Sequence, residues 1–167
     1  MIKRSIFLCL LAACSVFAQQ GAYLKESAKH WATAKDFTIE VANAMPADQY
    51  GFKPNPEEMS FGELMVHIAQ ANAGRFAAIA GEKAPITKPE KIDKDSAVKY
   101  MTESFDYCLK VLSGMKDSDL EKMIGPEGRQ LTAREVMWSY FTHTAHHRGQ
   151  AEVYLRLKNI KPPTYRF

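Results

Sequence analysis

The sequence predicts an all-α protein whose single domain is an antiparallel four-helix bundle. Apolar residues recur at three- and four-residue steps in four segments, 23–45, 60–80, 94–115 and 132–158. Two of these segments open on a capping-box pattern, and no stretch shows the alternation of apolar and polar residues that is typical of strands. A length of 167 residues with 46% hydrophobic content suits one domain with a sizeable core.

Residues 1–18 predict a cleaved signal peptide ahead of a domain that covers 22–167. Lys3 and Arg4 give a positive start, and the apolar run that follows is too short to span a bilayer as a mature helix. The small or aliphatic residues before Gln19 predict cleavage after Ala18, and hence a periplasmic or secreted protein without an integral membrane span. The alternative is a lipobox at 11–14, which would make the protein a lipoprotein anchored at Cys14.

The charge of the predicted mature chain limits the classes of partner it can bind, and its cysteine count limits the disulfides it can form. Removal of Lys3 and Arg4 from 22 basic residues leaves 20 against 19 acidic ones, a net charge of +1. With no basic block, the chain gives no electrostatic reason to bind nucleic acid. Cys108 would be the one cysteine left after cleavage, which excludes an intrachain disulfide, and its place on an apolar seam predicts a buried thiol.

The first predicted helix covers 23–45 and ends before Pro46. One of its faces is apolar: Leu24, Ala28, Trp31, Ala34, Phe37, Val41 and Met45. His30 is expected at its surface or edge. The second predicted helix opens on the capping box of Ser60 and Glu63 and stops at Gly81.

His67 lies on the apolar stripe of that second helix, three residues after Leu64 and four before Ala71. A lone inward histidine is ordinarily a hydrogen-bonded core residue. In a bundle that also carries a histidine pair on a facing helix, it becomes the natural third ligand of a metal ion.

The third predicted helix, 94–115, carries an apolar seam suited to packing between helices: Val98, Met101, Phe105, Cys108, Leu112 and Met115. The polar linker 117–130 contains Gly-Pro-Glu-Gly and predicts a short hairpin-like excursion. Thr132 and Glu135 form the capping box of the fourth helix, and Asn159 is expected as its left-handed cap.

The fourth helix carries the histidine pair. His143 and His147 are four residues apart, so on a helix both imidazoles can reach one metal ion, whereas His146 points about 100° away around the axis. Such a pair also arises where one histidine packs in the core and the other meets solvent. Together with His67, the pair predicts a site of three neutral imidazoles with at least one position left for water or substrate.

Imidazole ligands suit zinc, nickel, iron or copper, and the sequence does not select among them. An ion held in this way would activate a bound water molecule or a thiol, and no residue is assigned as a general base because no carboxylate lies beside the pair. Gln150 shares the inward face and is expected to hydrogen-bond to a ligand or to bound water. Arg148 is expected to pair with a carboxylate or a loop carbonyl, and Gly149 to let a neighbouring helix approach.

In these features the chain resembles the DinB-like (YfiT-like) family of metal-dependent helix bundles. The similarity lies in the Ser-Phe-Gly-Glu-Leu-Met-Val-His run at 60–67, in His143 and His147 followed by Arg-Gly-Gln, and in 154–163. It implies an up-down-down-up bundle, a divalent metal ion on His67, His143 and His147, and homodimers. Relatives include transferases and isomerases that use small thiols, whereas the predicted export signal departs from the family's usual cytoplasmic setting.

Three functions remain open at this point. The first is an exported metal-dependent hydrolase or thiol-dependent transferase that acts on a small molecule. The second is a non-catalytic, stress-related protein in which the ion only ties helices together. The third is a metal-free interaction module with histidines in its core.

Overall fold

The computed structural model describes the backbone of residues 3–167 and the side chains of residues 21–167. The elements in chain order are α1 (Lys3–Ala44), a 3₁₀ turn (Ala47–Gln49), α2 (Phe61–Ala80), α3 (Lys94–Gly114), a second 3₁₀ turn (Asp117–Glu121), β1 (Met123–Ile124), β2 (Leu131–Thr132) and α4 (Ala133–Leu157). The all-α four-helix bundle is confirmed. The predicted signal peptide, 1–18, lies outside the side chains that are described.

Each helix packs on two neighbours: α1 and α2 both lie against α3 and α4. Contacts along α2 and α4 show that these two helices are antiparallel. The Tyr154 hydroxyl, near the end of α4, donates to the Met59 carbonyl just before α2, at 3.0 Å. At the opposite end, Arg75 of α2 donates to Tyr140 near the start of α4, at 2.6 Å.

Helices α1 and α3 are also antiparallel. At the end of α1, the Asn43 carbonyl accepts a hydrogen bond at 2.7 Å from Lys94, the first residue of α3. Farther back along α1, Lys35 pairs with Asp106, which lies later in α3.

Helices α1 and α4 are parallel, because the order of their contacts is the same in both. Trp31 lies beside Phe141, and Thr38, two turns later on α1, lies beside Arg148. Together the three helix pairs give the up-down-down-up order, as the sequence resemblance implied.

Trp31 stands at the centre of the hydrophobic core, where it contacts an aromatic ring from each of the other three helices. Its ring centroid lies 4.8 Å from that of Phe76 on α2, 6.0 Å from Phe105 on α3 and 5.8 Å from Phe141 on α4. The core of the bundle is therefore built around one side chain that joins all four helices.

The predicted caps are confirmed and fix where α2 and α4 begin and end. Ser60 caps α2 and Thr132 caps α4, each with a reciprocal glutamate three residues on. Gly81 has φ 71° and Asn159 has φ 60°, the left-handed conformation that ends a helix and that these two residue types adopt most readily.

Some predicted boundaries were wrong. Helix α1 begins upstream of Tyr23, since no proline interrupts the residues before it, and α3 and α4 each end one residue early. The linker contains a true two-stranded hairpin, β1 with β2, although no strand was expected from alternation. Two-residue strands are too short to show alternation; positive φ at Gly125 and Gly128 lets the chain reverse.

Cys108 is confirmed as a buried core thiol, and burial raises its pKa. Because the thiolate is the reactive form, we expect Cys108 to react with a thiol reagent such as Ellman's reagent at least about 100-fold more slowly in the folded chain than in urea. The comparison uses the Cys108→Ala variant to subtract any signal from other cysteines. Equal rates in the two conditions would contradict a buried thiol.

Candidate metal centre

Three histidine side chains from two helices converge on one point. The Nε2 atom of His67 on α2 lies 3.1 Å from Nε2 of His143 and 3.2 Å from Nε2 of His147, both on α4. Within residues 21–167, these three side chains form the one group of ligand-type atoms close enough to share a metal ion. The structure therefore brings together all three predicted ligands and leaves His146 and His30 out of the group.

The spacing of the three nitrogens fits a tetrahedral metal site. Imidazole nitrogens lie about 2.0–2.1 Å from a zinc ion. Two nitrogens at that distance from one ion and 3.1–3.2 Å from each other subtend about 100° at it, close to the tetrahedral angle. The three imidazoles could thus hold one divalent ion and leave a fourth position for another ligand.

Gln150 orients His147. Its Oε1 lies 2.7 Å from Nδ1 of His147, one helical turn away on α4. A carbonyl oxygen only accepts hydrogen bonds, so with the Gln150 amide in this orientation the proton of His147 lies on Nδ1. The Nε2 atom of His147 then has a free lone pair directed at His67 and His143. This contact is the one a metal-binding histidine ordinarily makes through its second nitrogen, and it agrees with the expected place of Gln150.

His143 is oriented by packing instead of by a hydrogen bond. Its Nδ1 is buried and has no hydrogen-bond partner in the described part of the chain. Its ring lies between the rings of Tyr140, 5.4 Å away, and His147, 4.4 Å away.

The environment keeps two of the imidazoles uncharged. Burial, and then the neighbouring His147, His67 and His146, together lower the pKa of His143 to about 4. Burial, and then His147, also lowers the pKa of His67. Neutral imidazole is the form that binds metal, so at neutral pH these two ligands need not lose a proton first.

The site is open to solvent because it lies at the edge of the bundle, in the groove between α2 and α4. His67 was expected on the inward stripe with Leu64 and Ala71, but both His67 and Ala71 are half-buried, whereas Leu64 is in the core. The inward stripe of α2 instead runs through residues such as Ile68 and Asn72. His143, His147 and Gln150 are half-buried in the same way.

A buried pair of polar side chains joins α2 to α4 near the histidines. This pair was not predicted from the sequence. Asn72 Nδ2 donates to Thr144 Oγ1 at 2.9 Å, and both side chains are fully buried. Thr144 directly follows His143 on α4, and Asn72 lies five residues after His67 on α2. This pair therefore fixes the position of the two helices along each other and hence the spacing of the nitrogens. Its sequence signal was an asparagine on an otherwise apolar helix face.

Two expectations around the site were wrong. Arg148 is buried over the ring of Phe37, at 4.3 Å, and its hydrogen bond goes to the Thr38 hydroxyl at 3.5 Å instead of to a carboxylate or loop carbonyl. A Cβ atom on Gly149 would meet no atom within 4 Å, so this glycine permits no close helix approach. At Gly62 the missing Cβ does leave room for close neighbours, but these are the loop residues Tyr50 and Ile92 and not a helix.

Replacement of Gln150 by leucine tests the orienting contact. We expect Gln150→Leu to keep the fold and to weaken zinc binding about 10- to 100-fold, the usual cost of losing such a hydrogen bond. Zinc affinity would be measured by competition with a chelating dye. Gln70→Leu, at an exposed position of α2, is the matched control and should bind zinc as the unmodified chain does.

Comparison with known proteins agrees with this architecture. A family model described as the DinB superfamily matches residues 30–151, a range that includes all three histidines. The uncharacterized protein YjoA of Bacillus subtilis (strain 168) is 28% identical over 133 residues, which cover 76% of this chain and 85% of YjoA.

Solved structures show the same fold. The crystal structure of the DinB-like YjoA from Bacillus subtilis matches with a TM-score of 0.70 and 24% identity, covering 84% of this chain and 96% of that one. A DinB-like protein from Bacillus cereus ATCC 10987 matches with a TM-score of 0.75 and 18% identity, covering 85% and 97%. At these identities the likeness establishes the fold.

Proposed function

The chain belongs to the DinB superfamily, and from that premise we propose that it binds one divalent metal ion through His67, His143 and His147 and uses it to act on a small molecule. The reaction class is hydrolysis or thiol-dependent transfer. The observation that carries the proposal is the convergence of three Nε2 atoms in a groove open to solvent, with that of His67 lying 3.1 Å from His143 and 3.2 Å from His147.

When bound, such an ion supplies Lewis-acid chemistry, lowering the pKa of a water molecule or thiol that coordinates it. The chain's own residues do the rest. Three imidazoles fill three positions and leave room for a further ligand, and Gln150 holds the tautomer of His147. Because no carboxylate in residues 21–167 joins the cluster, the residues favour a thiol over water as the activated group: a thiol needs less help from a general base.

The missing carboxylate also supports a second function, in which the ion is structural and ties α2 to α4 in a non-catalytic, stress-related protein. The two functions differ in how the fourth coordination position of the metal ion is used. A catalytic site keeps it exchangeable for substrate, whereas a structural site has no use for it.

Cobalt substitution separates the two. The tag-free full chain would be loaded with Co²⁺, whose visible spectrum reports its ligands, and titrated with a small thiol such as cysteine methyl ester. A catalytic site should show a sulfur-to-cobalt charge-transfer band that is absent in His67→Ala. If Co²⁺ binds and raises the melting temperature but thiols and small anions leave the spectrum unchanged, the structural function is correct.

We also propose that the protein is exported, as a periplasmic or secreted protein cleaved after Ala18. The support is the sequence pattern alone; separately, no helix in the described residues is long and apolar enough to cross a membrane. Sequencing of the mature amino terminus should begin at Gln19. A lipid-modified cysteine as the first residue would establish the lipoprotein alternative at Cys14, and an intact Met1 would exclude both.

A further inference from the structure

The partly exposed edge of α2 continues past the histidine cluster, from half-buried His67 and Ala71 to exposed Arg75. His67, Ala71 and Arg75 follow one another at four-residue steps, so they line the same side of the helix along the groove with α4. Eight residues of α-helix are about 12 Å long, which puts the backbone of Arg75 about two turns beyond His67. Its side chain, however, is held close to the cluster by α4.

Tyr140 positions Arg75 beside the cluster. The guanidinium donates from Nε to the Tyr140 hydroxyl at 2.6 Å, and its central carbon lies 5.1 Å from the centre of the Tyr140 ring. The same ring lies 5.4 Å from that of His143. Arg75, Tyr140 and His143 therefore form a continuous row on the wall of the groove.

The guanidinium retains most of its binding capacity. Within residues 21–167 only Nε is engaged, so the two terminal nitrogens of this exposed side chain, with four N–H groups, are left as a fork of donors. No carboxylate of residues 21–167 forms an ion pair with Arg75, whereas two other arginines on α4, Arg134 and Arg156, pair with Glu121 and Glu152. A planar fork of this kind matches a carboxylate, which it can bind through two parallel hydrogen bonds.

The charge of the groove also favours a carboxylate ligand. Imidazole binds a metal ion in its neutral form, so the three ligands would compensate none of the charge of a divalent ion, and Arg75 adds one more positive charge. The acidic side chain nearest in sequence to a ligand on α2, Glu63, is engaged by Ser60 and Lys53. A groove with this excess of positive charge favours an anionic ligand.

We propose that Arg75, held by Tyr140, is a specificity-determining residue that binds a carboxylate group of the substrate while the reacting group of the same molecule takes the open position of the metal site. This inference rests on the proposed metal site. It defines the substrate class as a small molecule with an anionic or thiol end and a carboxylate several bonds away.

The test measures binding, with zinc and simple carboxylates as probes. The full chain is first titrated with Zn²⁺. The zinc-loaded protein is then titrated calorimetrically with acetate, which can reach only the ion, and with the dicarboxylates from malonate to adipate, which can span both groups. We expect one chain length to bind best and Arg75→Gln to weaken that dicarboxylate about tenfold, while acetate binding changes less than twofold.

Three variants show whether the fork itself is responsible. Arg129→Gln removes the same charge from the exposed hairpin turn and should leave both probes unaffected. Arg75→Lys keeps the charge without the fork and should recover only part of the affinity. Tyr140→Phe frees the guanidinium and should weaken the best dicarboxylate about threefold.

Each result decides between the two proposals. If zinc binds but Arg75→Gln binds every dicarboxylate with the affinity of the unmodified chain, the proposed role of Arg75 is wrong. The proposed metal site is then unaffected. If Arg129→Gln loses as much dicarboxylate affinity as Arg75→Gln, the loss comes from the overall charge of the protein and the proposed role of Arg75 is again wrong. If zinc does not bind to the unmodified chain, the proposed function fails and this inference fails with it.

Discussion

Replacement of His67 by alanine is expected to abolish stoichiometric metal binding. The unmodified chain should carry about one divalent ion, and His67→Ala and His143→Ala should each carry less than about a tenth of one after dialysis. Each variant removes one of three ligands, so we expect an affinity loss above the 10- to 100-fold that follows the loss of an orienting hydrogen bond. Mass spectrometry of tag-free protein gives the metal content directly.

The same substitution should remove the stabilisation that the ion provides. At free zinc about 100 times the dissociation constant, binding adds about 2.7 kcal/mol to the free energy of unfolding. For a domain of this size that corresponds to a rise of roughly 5–10 °C in melting temperature. His67→Ala should show no such rise, and its melting temperature should not respond to a chelator.

His146→Ala is the matched control. His146 neighbours His147 on α4, and its ring lies 4.9 Å from that ring, but it takes no part in the cluster. This variant should keep its metal ion and its zinc-dependent rise in melting temperature. If the His67 and His143 variants keep one ion per chain and the same fold, the site lies elsewhere.

Replacement of Trp31 by alanine should have the largest effect on stability. Its ring is 2% exposed and contacts aromatic rings of α2, α3 and α4. Truncation of a buried aromatic side chain costs about 3–5 kcal/mol, because the lost contacts are only partly recovered by relaxation. Against a typical total of about 5–15 kcal/mol, that is about a fifth of the stability or more.

Urea unfolding in the presence of a chelator measures this loss without any contribution from metal. Trp138→Ala is the matched control, since Trp138 is 68% exposed. We expect the control to change the free energy of unfolding by no more than about 0.5 kcal/mol. Equal losses in the two variants would show that the core is not organised around Trp31.

The helices were predictable because their signals are local. Ser60 and Thr132 form their capping boxes with residues three positions away, and Gly81 needs no partner to adopt its left-handed conformation. The start of α1 was missed, and the hairpin was predicted from its turn residues but not as two strands, because neither the helix start nor the strands have such a signal. A helix without a cap or a proline has no marked beginning, and a strand of two residues has no period.

The residues of the site were predictable from the sequence, but how deeply they are buried was not. The spacing of His143 and His147 requires a shared helix face, and the position of His67 on a stripe of the second helix made it the third ligand, in agreement with the family resemblance. Periodicity places a residue on a side of a helix, but it does not show whether that side meets the core or an open groove. His67 therefore lay at the groove edge, where a position for substrate can exist.

The contacts around the site depend on which helices become neighbours, which no single segment specifies. Asn72 with Thr144, and Arg148 with Thr38, join residues 72 and 110 positions apart. The link between Arg75 and Tyr140 is of the same kind. Gln150 was the exception, because its partner His147 lies one turn away on the same helix.

A crystal structure of tag-free protein, with diffraction recorded on both sides of the absorption edge of the bound metal, tests the central claim most directly. We predict one anomalous peak per chain, about 2.0–2.2 Å from Nε2 of His67, His143 and His147, with a further position open to the groove between α2 and α4. A folded, metal-loaded chain whose peak lies at other residues, or whose His67 ring turns away from α4, would contradict it.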